Sequence, residues 1–432
     1  MITARVSITL LALLAAAAPP DLRPQAQEGE VTTLAVEGRS NQTAWVAAHH
    51  SFVAIAWGAS SDAKSDVFLA ISRDGGATFN TPVQVNRTAG EARLGGELPP
   101  RVALVPMPGR DPEIVVLWTA RTDATEIKIA RSRDGGQTFA QPRTLQRAEA
   151  PGDRGWPALA VDGQGSAHAV WLDHRGMATT KSEAAAHDHK SGTGYDGVAM
   201  AQRSGLYYAR AGSSSAGERE LTAGVCYCCK TAIAVDADGA VYAAWRHVYP
   251  NNIRDIAMAV SRDGGSTFTT PVRVSADQWQ LNGCPDDGPA LAIDASGTVH
   301  IVWPTVIDGA TPEGALFYST TRDGRRFTPR VRVPTLGSPK PAHPHVVVDE
   351  RGGVLVAWDE VINGTRVAAA LPVSRNDAQD VTFGRPIILA GEQSAMYPTL
   401  AVTADGWLAV WTAGKPGASR IAVRRLNARA RR

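Results

Sequence analysis

The sequence predicts an all-β fold: a β-propeller of seven blades, or six if the weakest repeat, the first, is not a blade. Three observations predict it. A strand pair ending in Trp recurs along most of the chain, a near-identical Asp-Gly turn returns four times at a fixed place after it, and a spare strand precedes the first repeat. No segment between the repeats carries a helical period, and four-stranded units repeated without helices are the signature of a propeller.

Taken in order, the strand pairs run Trp45 to Trp57, Arg101 to Trp118, Pro157 to Trp171, Thr231 to Trp245, Pro289 to Trp303, Pro344 to Trp358 and Pro398 to Trp411. Each alternates branched apolar residues with small or polar ones at a period of two around a Gly turn, the pattern of an antiparallel hairpin. A third strand follows, as in Ile256 to Val260. Then comes the turn Ser72-Arg73-Asp74-Gly75-Gly76-Ala77-Thr78-Phe79, repeated as Ser132 to Phe139 and Ser261 to Phe268 and shortened at Thr321 to Phe327. The last repeat holds three strands, ending at Ile421 to Leu426, so Val31 to Val36 is expected to close the ring as its fourth. The regular spacing of the Trp residues points to packing between blades. Trp156 and Trp279 fall outside that register and are candidates for a binding surface.

The chain carries 44 basic and 42 acidic side chains, a net charge of +2, which leaves no global field for nucleic acid. Arg5, the apolar run Val6 to Leu14 and the small residues Ala15 to Ala18 have the form of an export signal. The expected organisation is a signal peptide at 1–18, a linker at 19–30, one propeller domain at 31–427 with an insertion at 177–201, and a basic tail at 428–432. A periplasmic or secreted chain without a membrane span follows from this, because no later segment reaches the roughly 18 apolar residues a spanning helix needs.

The turn Ser-x-Asp-x-Gly-x-Thr-Phe resembles the Asp box of the sialidase superfamily, the BNR-repeat propellers, across nearly the whole mature chain. The Asp accepts backbone N–H bonds and the glycines take positive φ, so Asp74, Asp134 and Asp263 read as folding residues. The resemblance implies exo-glycosidase chemistry on a small glycan: an Arg triad for a carboxylate, a Tyr nucleophile with a Glu partner, and an Asp acid/base. Tyr397, in Met396-Tyr397-Pro398-Thr399-Leu400, is similar to the nucleophile position. The family's Arg-Ile-Pro is absent, the equivalent stretch reading Asn41-Gln42-Thr43-Ala44-Trp45, and Arg101, Arg175 and Arg246 are the arginines near blade ends that could be recruited.

Up-and-down blades place the start of the first strand and the end of the second at one rim, and the Asp boxes at the other. By this rule Cys226, Cys228 and Cys229, ahead of the fourth repeat, and Cys284, ahead of the fifth, share the rim opposite the Asp boxes. His343 and His345 open the sixth repeat there, and His174 and His247 follow the Trp strands of the third and fourth. His187 and His189 stand in the insertion, which could arch over that mouth as a lid. Thiolates joined by imidazoles suit a thiophilic metal, copper first and zinc second. The alternative is disulfide stapling of blades, by Cys226 or Cys228 to Cys284, or a vicinal Cys228–Cys229 bond. Lys230, beside the thiols, could hold an anion or depress a thiol pKa.

Overall fold

Seven small antiparallel sheets, one per repeat, follow one another around a ring in the computed structural model. It describes residues 25–26 and 30–427, apart from 63, 122–123, 148–150, 178–196, 212–216, 282, 284, 286, 310, 376–379 and 391–392. The expected signal peptide, the basic tail, Cys284, His187 and His189 lie outside the described residues.

The first strands are Ser40–His49, Arg101–Met107, Arg154–Val161, Ala232–Val235, Ala290–Ile293, Ala342–Val348 and Ala395–Thr403. Each touches the next, and the seventh touches the first, so these strands line the axis. Blade seven is completed by Val31–Leu34, antiparallel to Arg420–Asn427, which is the closure expected from the spare N-terminal strand. Blade six also carries Gln25–Ala26, paired parallel to Ile387–Ile388 at its outer edge. The first repeat is a full blade, so the count is seven.

Seven hydrophobic clusters hold the ring, each built from two neighbouring blades. Trp57, Trp118, Trp171, Trp245, Trp303, Trp358 and Trp411 are all fully buried in them. Truncating one such residue to Ala costs about 3–5 kcal/mol in a packed core. Several have their ring N–H bonded: Trp57 Nε1 donates to Asn41 Oδ1 at 2.9 Å, Trp303 Nε1 to Asp277 Oδ2 at 2.7 Å and Trp358 Nε1 to Glu360 Oε1 at 2.6 Å.

The Asp boxes behave as folding turns. Asp74 Oδ1 accepts the N–H groups of Ala77 and Thr78 at 3.0 and 2.9 Å, while Gly75 and Gly76 sit at φ 70° and 89°. Hydrogen bonds from Thr78 and Ser72 hold the Asp74 carboxyl below its ordinary range.

Candidate functional site

On the rim opposite the Asp boxes, four first strands share a local irregularity that aims side chains at the axis. Their register with the second strand slips between Gln42 and Trp45, Gly155 and Ala158, Ala342 and His345, and Met396 and Thr399. At each slip one residue takes positive φ: Thr43 at 51°, Trp156 at 50°, His343 at 54° and Tyr397 at 54°. Such an inserted residue re-aims a side chain. In three of the four the next residue is Pro, which disfavours helical backbone before it, so Trp156, His343 and Tyr397 are held against local preference. Sequence reading placed Tyr397 and His343 at this rim without the bulge, although an aromatic or His before the repeat's Pro was its visible trace.

His343 and Tyr397 pack ring against ring, with centroids 4.3 Å apart and planes tilted by 47°. Asp359, from the end of blade six's second strand, ties them together. Its Oδ2 accepts His343 Nδ1 at 2.8 Å and the Tyr397 backbone N–H at 2.6 Å, and Arg366 binds its other oxygen. The His343 backbone N–H is held by Asp287 Oδ2 at 2.9 Å. Glu97 approaches from the loop before blade two, with Oε1 3.8 Å from His343 Nε2 and Oε2 3.2 Å from Lys230 Nζ. Lys230 also donates to Pro344 O at 2.9 Å. The Tyr397 hydroxyl lies against Gly96, where a Cβ would come within 2.3 Å of it, so a side chain at 96 would displace the ring.

Burial works against a charge on His343, but Asp359, Glu97 and Asp287 outweigh it and raise its pKa to about 9. His345 goes the other way, to about 3, through burial and then Lys230 and Arg101. Its Nδ1 accepts the Leu400 N–H at 3.2 Å, which leaves the ring proton on Nε2. Burial pushes Glu97 up, against the pull of Lys230 and His343. The mouth therefore offers an imidazolium beside a tyrosine, a carboxyl group and an ammonium, a set able to donate and accept protons.

The three arginines serve three different sets of partners. Arg101 stacks 3.8 Å over Trp45 and donates Nε to Pro157 O at 2.8 Å. Arg175 forks onto Asp173 at 2.9 and 2.8 Å and reaches Glu218 at 2.8 Å. Arg246 is buried against the backbone oxygens of Arg254 and Pro304 at 2.9 and 2.8 Å, over the ring of Trp279. Of the three, Arg101 lines an axial cavity, with Lys230 and His345. Of the Trp residues outside the repeat register, Trp156 is buried and Trp279 half-buried, each beneath an arginine.

Cys226, Cys228 and Cys229 are fully buried in the core shared by blades three and four, beside Trp156, Tyr227 and Trp245. A turn at Tyr227–Cys228 brings Cys226 and Cys229 to a Cα separation of 5.6 Å, and these two form a disulfide. This pairing replaces the expected Cys226–Cys284 bridge and the vicinal Cys228–Cys229 bond, because the turn makes residues i and i+3 the near neighbours, whereas the expected alternative of Cys228 to Cys284 involves a residue outside those described. Cys228 is also oxidised, with Sγ 4.0 Å from Cys226 Sγ. Arg254 Nη1 lies 3.3 Å from Cys226 Sγ.

Among the described residues, the three cysteines are the group of potential metal ligands whose donor atoms lie within 4.8 Å of one another. His174 neighbours Trp156 and Tyr227, at ring distances of 6.1 and 6.5 Å. His247, whose pKa burial and then Arg273 lower to about 4, packs on Tyr249 at 4.7 Å. His343 and His345 belong to the axial cluster. Of the insertion, Met177 and the helix Gly197–Gln202 are described, and Met177 and Ala201 pack into the same core as the thiols.

Sequence reading missed Glu97, Asp359, Asp287 and Arg366. A single acid in the run Gly95-Gly96-Glu97-Leu98-Pro99-Pro100 before a first strand, and an acid directly after the repeat's Trp in Trp358-Asp359, were the signals available.

No family profile and no curated protein sequence matches the chain. Solved structures do resemble it. The polysaccharide lyase Uly1 superposes with a TM-score of 0.51 at 11% identity, over 89% of this chain and 90% of that one. The Trypanosoma rangeli sialidase superposes at 0.50 with 12% identity, over 91% of this chain and 59% of the sialidase. The α-L-arabinofuranosidase Arb93A from Fusarium graminearum gives 0.48 at 11% identity, over 90% and 93% of the two chains. At such identities the likeness is one of fold, and the fold is that of a sialidase-like seven-bladed β-propeller.

Proposed function

We propose that this exported propeller binds a thiophilic metal ion, copper(I) before zinc, through Cys226, Cys228 and Cys229 in their reduced form. The observation that carries the reading is the approach of three buried sulfurs to within 4.8 Å of one another. Three soft ligands in an apolar core suit copper(I), whereas a structural zinc site takes four. The Cys226–Cys229 bond and the separate disulfide that holds Cys228 make the site conditional on redox state: a dithiol reductant must supply two electrons and two protons for each bond, four of each in all, and the metal then displaces protons from the thiols. Arg254, close to Cys226 Sγ, favours the thiolate. Reconstituting the anaerobically reduced protein with copper(I) tests this. Retention of copper against a chelator, lost in Cys228→Ser, supports the reading, and no retention by the reduced wild type overturns it.

A second reading, glycan cleavage at the mouth, is favoured by the His343–Tyr397–Asp359 cluster with Arg101 nearby. It predicts turnover of an aryl glycoside that Tyr397→Phe abolishes while copper binding is unchanged. Against it, Arg175 and Arg246 are committed to other partners.

A further inference from the structure

The axis below the mouth holds two adjoining cavities that share Trp45, Lys230, Pro344 and His345. The one lined by Arg101, with walls from blades one to six, has about 40 Å³ of room. That volume accepts a small ion or a few waters and no sugar ring. Its wall carries the side chains of Arg101 and Lys230 and no carboxylate. Arg101 is 1% exposed, and its Nη2 is buried without an acceptor among the described residues. Nε is already used on Pro157 O, so the geometry leaves one guanidinium donor unanswered beside the cavity.

Glu97 acts on Arg101 as a nearby counter-charge, but no hydrogen bond joins the two among the described residues. Glu97 reaches Lys230 from the adjoining cavity, where its other oxygen faces His343. Asp359 is divided between His343 and Arg366, and Asp287 is held by the backbone of His343 and Gly288. A buried guanidinium with an unmet N–H is costly, and the ordinary remedy is a counter-charge. His345, with its proton on Nε2, adds a third donor to the wall.

We propose that the cavity between Arg101 and Lys230 is a binding site for a small monovalent inorganic anion of halide size. The site is separate from the thiols and does not depend on the metal reading. An anion there closes the axis by joining blades two, four and six through Arg101, Lys230 and His345. The bound state is the folded state, so the ion stabilises the ring by mass action.

The test uses the intact protein with bromide replacing chloride. A crystal grown in bromide is expected to show an anomalous peak between Arg101 and Lys230. In solution, exchanging chloride for gluconate at constant ionic strength is expected to lower the unfolding midpoint of the wild type. Arg101→Met should weaken the halide dependence about tenfold or more, the effect of removing a charged hydrogen-bond donor. Density without anomalous signal, together with a midpoint indifferent to halide, means water fills the cavity and overturns the proposal. A halide effect of the same size in Arg101→Met overturns the assignment to this cavity. Should Arg101→Met fail to fold, Lys230→Met carries the comparison, and the bromide peak in the wild type stands independently.

Discussion

The two rims of this propeller handle carboxylates in opposite ways. On the Asp-box rim Asp74 and Asp134 are exposed and take backbone hydrogen bonds from their own turns, three or four residues on. At the mouth Glu97, Asp287 and Asp359 are buried, and each takes at least one partner from another blade: Lys230 for Glu97, the His343 N–H for Asp287 and the Tyr397 N–H for Asp359. The first arrangement makes a fold repeat itself, and the second concentrates cost and reactivity at one place. A charge bound by its own turn is cheap to lose, whereas one shared between blades is not.

The sharpest break of this comparison is Asp359→Ala. It leaves His343 and Arg366 without their carboxylate in a buried site, which costs about 3–5 kcal/mol. Urea unfolding measures it, and a loss under 1 kcal/mol would mean that the cluster is solvated rather than buried. Reduction of the disulfides ranks next: the Cys226–Cys229 bridge across so short a loop contributes about 2 kcal/mol by chain entropy, and because dithiol also opens the bond at Cys228, unfolding with dithiol present should show a loss of at least that size. Asp74→Ala comes third at about 1 kcal/mol, since it removes exposed bonds within one turn.

The rims should also separate by pH. His343 has a folded pKa raised from 6.5 to about 9, so its contribution is complete below about 6.5 and is lost as pH rises through 9. Asp134 is lowered from 3.8 to about 2, against its burial, by bonds from Thr138, Ser132 and Gln137. Its contribution is present above 3.8 and lost as pH falls through 2. Unfolding free energy measured across this range should therefore fall at both ends. His343→Gln is expected to flatten the alkaline limb alone and Asp134→Asn to reduce the acid limb alone. A His343→Gln protein that keeps the alkaline slope would place that proton elsewhere.

The same contrast explains what could be read from the chain beforehand. The Trp strands, the Asp boxes and the closing strand Val31–Leu34 were legible because each is local or periodic. Tyr397 and His343 were legible by position, at the start of a first strand. The bulges that aim them were not, since they depend on pairing with the second strand. Nor were the partnerships of Glu97 with Lys230 or Asp359 with Tyr397, which join residues 133 and 38 positions apart. The cysteines were visible as a cluster, but their pairing was set by the turn at Tyr227–Cys228.

The measurement that tests the central claim most directly is copper(I) retention by the anaerobically reduced protein under chelator competition, with X-ray absorption at the copper edge. The account predicts one copper per chain with sulfur-only coordination, abolished by Cys228→Ser and by prior oxidation. Copper-free reduced protein, or copper bound through nitrogen and oxygen and indifferent to Cys228→Ser, would contradict it.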